Sequence, residues 1–376
     1  MNTPSGIYVH LPYCRSRCGY CAFAVTTDDS SRQAYLSALA GEIRLLAPEA
    51  KGERFDSIYL GGGTPSLLSR ADTAELLEGL NHSFSIEPKA EVTLEANPDD
   101  VSASLARGWR EAGVTRVSVG IQSFADRELA AVGRRHDSAT AERALQVLRR
   151  EGFSLSGDLI LGLPGQTAES FRASAERLCK AGVEHVSVYL LEIEKSKAME
   201  EDRKRNPARY LAEDAQADLW LELCERLDRR GFEHYEISNW ALPGRPSRHN
   251  LKYWTRVSTL GLGISAHELW HERRRANISA IAPYLDALSN GRRPVALDRE
   301  VSPEERARER IVLGLRLAQG VSRQEIEGWI ARAEDPTLGD DYETWRTAGL
   351  LSACEQRVRL TERGFLLSNE ILCRFV

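Results

Sequence analysis

The chain has 376 residues, of which 42% are hydrophobic, and a formal net charge of −5 at pH 7. This length is sufficient for a large domain plus a smaller one. Because the net charge gives no overall basic field, we expect no nucleic-acid partner. No apolar stretch approaches the roughly 20 residues that cross a bilayer, so we expect no transmembrane segment, and peripheral contact with a membrane is left open.

Short β-rich runs alternate with longer helical patterns along the first half of the chain. This alternation predicts β/α units around a parallel sheet, and six units predict a partial or closed barrel. The loops after the strands of such barrels build the active site. The predicted strands cover residues 6–10, 56–60, 91–95, 116–121, 156–161 and 185–190, and the main helices cover 32–46, 70–80, 139–152 and 168–181.

Three cysteines, Cys14, Cys18 and Cys21, lie just after the first predicted strand. Three thiolates suit an iron–sulfur cluster with four irons and leave one iron without a protein ligand. A zinc knuckle or a disulfide pair is the alternative, although a closed zinc site needs a fourth ligand, for which His10 and His249 are the candidates. The other four cysteines stand singly, so no disulfide framework is predicted, and the natural home is a reducing cytoplasm.

Polar and glycine residues follow the next strands. The second strand runs into Gly61-Gly-Gly-Thr-Pro65, which permits a close approach of backbone to a ligand or simply makes a tight turn. Glu95 ends the third strand, where its carboxylate can accept hydrogen bonds from ribose hydroxyls or be solvated. Gln122 and Arg134 follow the fourth strand, and Arg134 can alternatively form a surface ion pair. Asp158 lies within an apolar strand, where a lone charge needs a partner.

Together with these motifs, the cysteine spacing resembles the radical S-adenosylmethionine superfamily. The resemblance implies a cluster with four irons and four sulfurs (4Fe–4S) on the three cysteines, whose open iron binds the amino and carboxylate groups of S-adenosylmethionine. It makes Gly62, Gly63 and Thr64 candidates for holding the methionyl amino group. The full set of candidate cofactor-binding residues is Tyr8, Tyr20, Gly62, Gly63, Thr64, Glu95, Gln122, Arg134 and Asp158.

The order of motifs along almost the whole chain resembles the oxygen-independent coproporphyrinogen III oxidase family. That family has two branches, the decarboxylating dehydrogenases and the HemW-like haem chaperones. Three features favour the chaperone branch: only thirteen residues precede Cys14, Phe23 stands where the dehydrogenases have another cysteine, and Arg248-His-Asn-Leu-Lys-Tyr-Trp254 fits the branch signature His-Asn-x-x-Tyr-Trp.

This signature contains groups that suit haem. His249 offers an imidazole nitrogen to the iron, and Tyr253 and Trp254 offer faces to the porphyrin. Nearby arginines, such as Arg245 and Arg248, can pair with the propionates. The alternative is a hydrogen-bonded structural histidine beside core aromatic residues. The chain departs from the family pattern around Thr259-Leu-Gly-Leu-Gly-Ile-Ser-Ala-His-Glu268.

We therefore predict an α/β protein with a partial (β/α)6 radical S-adenosylmethionine barrel and a smaller C-terminal α+β, winged-helix-like domain. The predicted boundaries are 1–230 for the barrel, 231–295 for an extension carrying the His249 motif, and 296–376 for the C-terminal domain. The charged segment 198–212, broken by Pro207, is predicted to be a solvated excursion.

The resulting hypothesis is a cytoplasmic haem chaperone that holds the cluster and S-adenosylmethionine, binds haem and passes it to apo-haemoproteins. The alternative is a coproporphyrinogen III dehydrogenase, an enzyme of redox type. A third reading is a radical enzyme for an unrelated substrate. No catalytic residue is assigned, and turnover of coproporphyrinogen is not expected.

Overall fold

The computed structural model describes residues 3–376. It divides into two compact units. Unit 1 contains the residues up to Ala212 together with Val257–Arg299, and unit 2 contains Glu213–Arg256 together with Glu300–Val376. Both units are therefore discontinuous in sequence. The predicted division at residues 230 and 295 stays a prediction.

The strands and helices alternate through most of the chain. The strands are β1 (Ser5–Leu11), β2 (Arg54–Gly62), β3 (Ser85–Ala96), β4 (Arg116–Gln122), β5 (Ser154–Leu161), β6 (His185–Leu190), β7 (Glu233–Glu236), β8 (Asn239–Ala241), β9 (Thr259–Leu262), β10 (His267–Trp270), β11 (Arg273–Asn277), β12 (Val295–Glu300), β13 (Val321–Ser322), β14 (Leu351–Ala353) and β15 (Arg357–Leu360). The helices are α1 (Arg32–Leu46), α2 (Arg70–Ser83), α3 (Ala103–Glu111), α4 (Asp126–Ala131), α5 (Ser138–Arg150), α6 (Ala168–Lys180), α7 (Lys197–Arg205), α8 (Glu213–Asp228), α9 (Arg248–Trp254), α10 (Ile281–Ser289), α11 (Pro303–Gly314), α12 (Arg323–Ile330), α13 (Leu338–Thr347), α14 (Glu362–Leu366) and α15 (Ser368–Cys373).

Unit 1 is built on six parallel strands in the order β1-β2-β3-β4-β5-β6. All six coincide with predicted strands. The second edge of β1 pairs in parallel with β9, so that Val9 lies between Leu60 of β2 and Leu262 of β9. Strands β10, β11 and β12 continue the sheet beyond β9. The edge of β1 that would pair with β6 in a closed barrel pairs with β9 instead. The six parallel strands therefore form the predicted partial barrel.

The sequence explains why these elements form. In β1, six of seven residues are buried, as expected of a parallel strand that is covered on both faces. Helix α2 begins with a capping box in which Ser69 and Asp72 satisfy each other's backbone amides. Gly113 and Gly152 follow α3 and α5 with positive φ, which glycine adopts without steric cost. At both glycines the chain turns after the helix and enters the next strand, β4 or β5.

The charged segment 198–212 is more ordered than predicted. Residues Lys197–Arg205 form helix α7, which begins at the N-cap Ser196 and carries an ion pair between Glu200 and Lys204 one turn apart. Met199 is buried against a small apolar cluster that includes Val132 and Ile160. The density of charge concealed this single buried anchor from the sequence pattern.

The C-terminal part of unit 2 is α+β, as predicted. Three short antiparallel strands in the order β13-β15-β14 pack with helices α11–α15. Their common core includes Leu315, Ile326, Val358 and Phe375. Among the described residues, no helix has the combination of length and apolar character needed to cross a membrane.

Candidate functional site

The loop after β1 carries the three predicted cluster cysteines. Its path is fixed by backbone hydrogen bonds at both ends, from Cys14 N to Thr26 O (2.9 Å) and from Cys21 N to Cys18 O (3.1 Å). Burial raises the pKa of the Cys14 and Cys21 thiols, and the charge of the neighbouring cysteines raises both further. The three cysteines are thus close enough for their charges to interact, and a cation beside them would stabilise their thiolate forms.

The glycines after β2 are packed against the cysteine loop. A Cβ atom added to Gly62, which has a φ of +105°, would lie 2.5 Å from the His10 ring, and one added to Gly63 would lie 2.6 Å from the Leu11 carbonyl oxygen. The amides of Gly63 and Thr64 also donate to Leu11 O and Tyr13 O. The glycines are thus required for the end of β2 to lie against the start of the cysteine loop, a reason that the sequence did not reveal. Their contact with a cofactor stays a prediction.

Alanine at Gly63 is expected to lower the free energy of unfolding by about 1–3 kcal/mol, because its Cβ would overlap backbone atoms that cannot turn aside. Denaturant unfolding of the full chain measures this. Gly79 in α2 is the matched control, since an added Cβ there meets no atom within 4 Å. Gly79→Ala should be neutral or stabilise by up to about 1 kcal/mol. Equal stability of the two variants would contradict the steric argument.

Glu95 lies at the centre of a hydrogen-bonded group at the ends of β2 and β3. Its Oε1 accepts from the Tyr59 hydroxyl (2.8 Å) and its Oε2 from the Gly62 amide (3.1 Å). Burial raises the pKa of Glu95 to about 7, and the charge of Asp158 adds to this. A carboxyl group that titrates near neutrality, with two protein donors already bound, is a strong acceptor for further hydroxyl groups in its ionised form.

Asp158 lies on β5, close enough to Glu95 for their charges to interact. Its carboxylate accepts from the Ser118 hydroxyl at 3.1 Å, and burial raises the pKa of Asp158 to about 6 although hydrogen bonds from Ser187 and Ser118 oppose the rise. The structure therefore provides the partner that a charge within an apolar strand was predicted to need. Two carboxyl groups with raised pKa values share one edge of the sheet, which is a feature of binding sites.

A second chain of contacts joins the strand ends to the cysteines. The Thr64 hydroxyl donates to Cys14 Sγ at 3.2 Å and accepts from Asn97 Nδ2 at the same distance. The guanidinium of Arg134 donates to Asn97 Oδ1 at 2.6 Å and to Cys18 Sγ at 3.7 Å. Arg134 is therefore not in a surface ion pair. Its Nε is buried without a hydrogen-bond partner among the described residues.

Three other predicted residues lie at the same edge. Tyr8 Oη lies 3.0 Å from His10 Nδ1 and its ring stacks on Tyr59. The Tyr20 hydroxyl hydrogen-bonds to Cys18. Gln122 ends β4 with a φ of +67°, a strained conformation that is concentrated at functional sites.

Tyr59 and Asn97 are the residues that the sequence analysis missed. Each links two predicted residues, Tyr59 through the Glu95 carboxylate and Asn97 between Thr64 and Arg134. Asn97 stands in the same Glu-Ala-Asn-Pro motif as Glu95, which was the available signal. Tyr59 gave no signal, because an aromatic residue inside a strand is ordinary.

The His249 motif forms α9 in unit 2. Ser247 caps the helix by accepting from the Asn250 amide. His249 is fully buried, its Nε2 lies 2.9 Å from the Tyr253 hydroxyl, and burial lowers the pKa of His249 to about 3. The imidazole is therefore neutral, as an iron ligand must be.

The aromatic and cationic residues of the motif are partly engaged in unit 2. The Tyr253 side chain is 37% exposed, while the Trp254 ring carries the Arg316 guanidinium over its face. Arg256 pairs with Glu309 at 2.8 Å. In this arrangement Tyr253 is the most exposed of the three predicted haem contacts, Trp254 is partly buried, and the haem role of the motif stays a prediction.

Comparison with known proteins agrees with the predicted fold. Residues 8–178 match the Radical SAM superfamily and residues 301–367 match the HemN C-terminal domain. Coproporphyrinogen III oxidase (HemN) from Escherichia coli, described as a radical SAM enzyme, superposes with a TM-score of 0.84 over all of this chain and 90% of that one. At 22% identity this likeness concerns the fold alone. The fold is that of the radical S-adenosylmethionine proteins.

Full-length relatives identify the family more narrowly. The chain is 31% identical to heme chaperone HemW of Lactococcus lactis over all of this chain and 98% of the relative. It is 34% identical to heme chaperone HemW of Mycobacterium tuberculosis over 98% of this chain and 94% of the relative. The chain therefore belongs to the heme chaperone HemW family, and the resemblance to the chaperone branch is confirmed.

Proposed function

We propose that this protein is a cytoplasmic haem chaperone that binds haem and delivers it to apo-haemoproteins, with a 4Fe–4S cluster and S-adenosylmethionine bound in unit 1. The observation that carries the proposal is similarity along the entire chain to proteins named heme chaperone. The fold likeness to coproporphyrinogen III oxidase supports relatedness to that enzyme and, at 22% identity, says nothing of its reaction.

The residues of the cysteine loop fit the proposed cluster. The loop carries three thiols, the Thr64 hydroxyl donates to the sulfur of Cys14 and Arg134 to that of Cys18, so two of the thiolate charges would be stabilised by hydrogen bonds. When bound, the cluster would supply electrons and an iron coordination position for S-adenosylmethionine. The positive charge of Arg134 would stabilise the negative charge of the cysteine thiolates. Its buried Nε can donate a further hydrogen bond to a bound ligand.

The strand-end residues fit S-adenosylmethionine. Glu95 offers a carboxylate to ribose hydroxyls, and Asp158 gives a second acceptor at the same edge of the sheet. Gly62, Gly63 and Thr64 present backbone beside the cysteine loop for the methionyl amino group. Tyr8 and Tyr20 would line the pocket, and Gln122 would be placed by its strained backbone.

Glu95→Ala is expected to weaken the binding of S-adenosylmethionine by about 1–3 kcal/mol, because a buried hydroxyl pair loses its acceptor. Calorimetry on the cluster-loaded protein measures the affinity. Glu87→Ala is the matched control, since Glu87 lies at the other end of β3, pairs with Arg54 and is half-buried. Unchanged affinity in the Glu95 variant would exclude the ribose assignment.

The same binding is expected to depend on pH. With a pKa of about 7, Glu95 is protonated below neutrality and ionised above it, and only the carboxylate can accept from both ribose hydroxyls. The affinity at pH 8 should therefore exceed that at pH 6 by about tenfold, the ratio of the ionised fractions. Glu95→Gln should flatten this dependence, leaving the smaller contribution of Asp158. A profile identical in wild type and Glu95→Gln would contradict this assignment.

The function itself is tested by two assays run side by side on anaerobically reconstituted protein. Titration with haem should produce a Soret band with saturable binding. Incubation with coproporphyrinogen, reductant and S-adenosylmethionine should leave the porphyrinogen unconverted. Saturable haem binding without conversion supports the chaperone, whereas formation of protoporphyrinogen would move the assignment to the dehydrogenase.

A further inference from the structure

A cysteine, a histidine and a glutamate meet in unit 2, outside the site described above. Cys224 lies on α8, His234 on β7 and Glu362 at the first position of α14. One potential ligand atom of each lies within 4.8 Å of those of the other two. His234 Nδ1 is 2.8 Å from Glu362 Oε2, and the Cys224 thiol hydrogen-bonds to the same carboxylate.

Aromatic packing fixes the orientation of the imidazole. The His234 ring stacks on Trp240 with centroids 4.1 Å apart and an interplanar angle of 15°, and Phe365 packs on it at 4.8 Å. The Nε2 atom is buried and has no hydrogen-bond partner in the described part of the chain. Nδ1 is therefore the ring nitrogen that faces the thiol and the carboxylate, and the aromatic packing holds it there together with the hydrogen bond to Glu362.

The surroundings differ between the three donors. Cys224 is 7% exposed and the His234 side chain 7%, whereas the Glu362 side chain is 44% exposed. The Cys224 sulfur and the His234 nitrogen are thus shielded from solvent, whereas the Glu362 carboxylate borders it. A ligand could enter from the side of Glu362 without opening the aromatic cluster.

This donor set matches one class of ligand. Thiolate sulfur, imidazole nitrogen and carboxylate oxygen are the three ligand types of protein zinc sites, and three protein ligands leave a fourth position for water. One thiolate and one carboxylate carry two negative charges, which a divalent cation neutralises. Binding would release the Cys224 proton and shift the His234 proton from Nδ1 to Nε2.

We propose that Cys224, His234 and Glu362 form a binding site for a divalent transition-metal ion of the zinc class. The three ligands come from both sequence segments of unit 2, since Cys224 and His234 lie in Glu213–Arg256 and Glu362 lies in Glu300–Val376. A bound ion would therefore fasten these two segments to each other. The fourth position, on the side of Glu362, would be held by water.

Zinc content tests the proposal on the full chain with its cluster reconstituted, so that Cys14, Cys18 and Cys21 are already occupied. After equilibration with Zn²⁺ and desalting, wild type should retain one zinc per chain and show a higher unfolding temperature than the metal-free protein. Cys224→Ser, His234→Ala and Glu362→Gln should each weaken zinc binding at least tenfold and lose the thermal shift. Cys373→Ser is the matched control, since its thiol is exposed in the same unit.

Cobalt provides an independent readout of the ligands. In the full chain with the three loop cysteines replaced by alanine, Co²⁺ should give a sulfur-to-cobalt absorption band that Zn²⁺ removes and that Cys224→Ser abolishes. If the Cys224 or His234 variant fails to fold, Glu362→Gln still tests the metal site, because the Glu362 side chain is half exposed. Absence of zinc from wild type, or equal zinc in wild type and Glu362→Gln, would overturn the proposal.

Discussion

Alanine at Cys14, Cys18 or Cys21 is expected to abolish the iron–sulfur cluster, with loss of essentially all bound iron and sulfide. Their thiols are the three predicted sulfur ligands on the loop after β1, and burial raises the pKa of Cys14 and Cys21, which disfavours the charged forms of these two without a metal. Two thiolates cannot replace three, because the remaining irons would lack both a ligand and compensating charge. Anaerobic reconstitution followed by iron and sulfide analysis and paramagnetic resonance measures the loss.

The control for this result is another cysteine. Cys179 lies on α6, away from the loop after β1 in sequence, and Cys179→Ala should retain the full cluster. Thr64→Val provides a graded intermediate, because it keeps all three cysteines and removes the hydrogen bond to Cys14 Sγ together with the one accepted from Asn97. Full cluster content in any one of the three loop variants would refute the assignment.

Alanine at His249 is expected to remove or shift the haem Soret band and to leave the cluster unaltered. A flat, anionic macrocycle needs an axial nitrogen, aromatic faces and cations, and the His249 motif supplies all three. The structure adds a condition, because His249 Nε2 is hydrogen-bonded to the Tyr253 hydroxyl and the imidazole is fully buried. Tyr253 must turn away before this nitrogen can bind iron.

The hydrogen bond between Tyr253 and His249 can be removed by a second variant. Tyr253→Phe keeps the ring and removes the hydrogen bond to His249, so it should bind haem more tightly, by roughly 0.5–1.5 kcal/mol. His82→Ala is the matched histidine control, since His82 is exposed near the end of α2. Haem titration measures all three variants. Wild-type affinity in His249→Ala would show that another group ligates the iron.

The parallel core was predictable because its signals are local. The strands are largely buried runs, most of the intervening helices begin at a side-chain cap, and the alternation of strands and helices indicates parallel order. The sequence singled out Glu95 because it ends a strand and Asp158 because it is a charge within an apolar strand, and the structure brings the two close enough for their charges to interact. Because the carboxyl ends of parallel strands lie on one side of a sheet, residues near those ends become neighbours although they are far apart in sequence.

The pairing of β9 with β1 was beyond the sequence pattern. Thr259–Leu262 is a four-residue run, and no local feature identifies a partner about 250 residues earlier. The packing reason for Gly63 was hidden in the same way, because the atoms that would collide with its side chain come from Leu11 and Pro12. The burial of His249 also depends on neighbours that a motif does not display.

The pairing of β1 between β2 and β9 constrains the order of events during synthesis. When the cysteine loop and the first six strands have left the ribosome, one edge of β1 still has its backbone groups unpaired, because Thr259–Leu262 has not been made. Such an unpaired edge can pair with other chains, and its pairing with a strand about 250 residues later in the sequence is slow. The cysteines next to it would thus follow a strand that is paired on both edges only after some 260 residues have been translated.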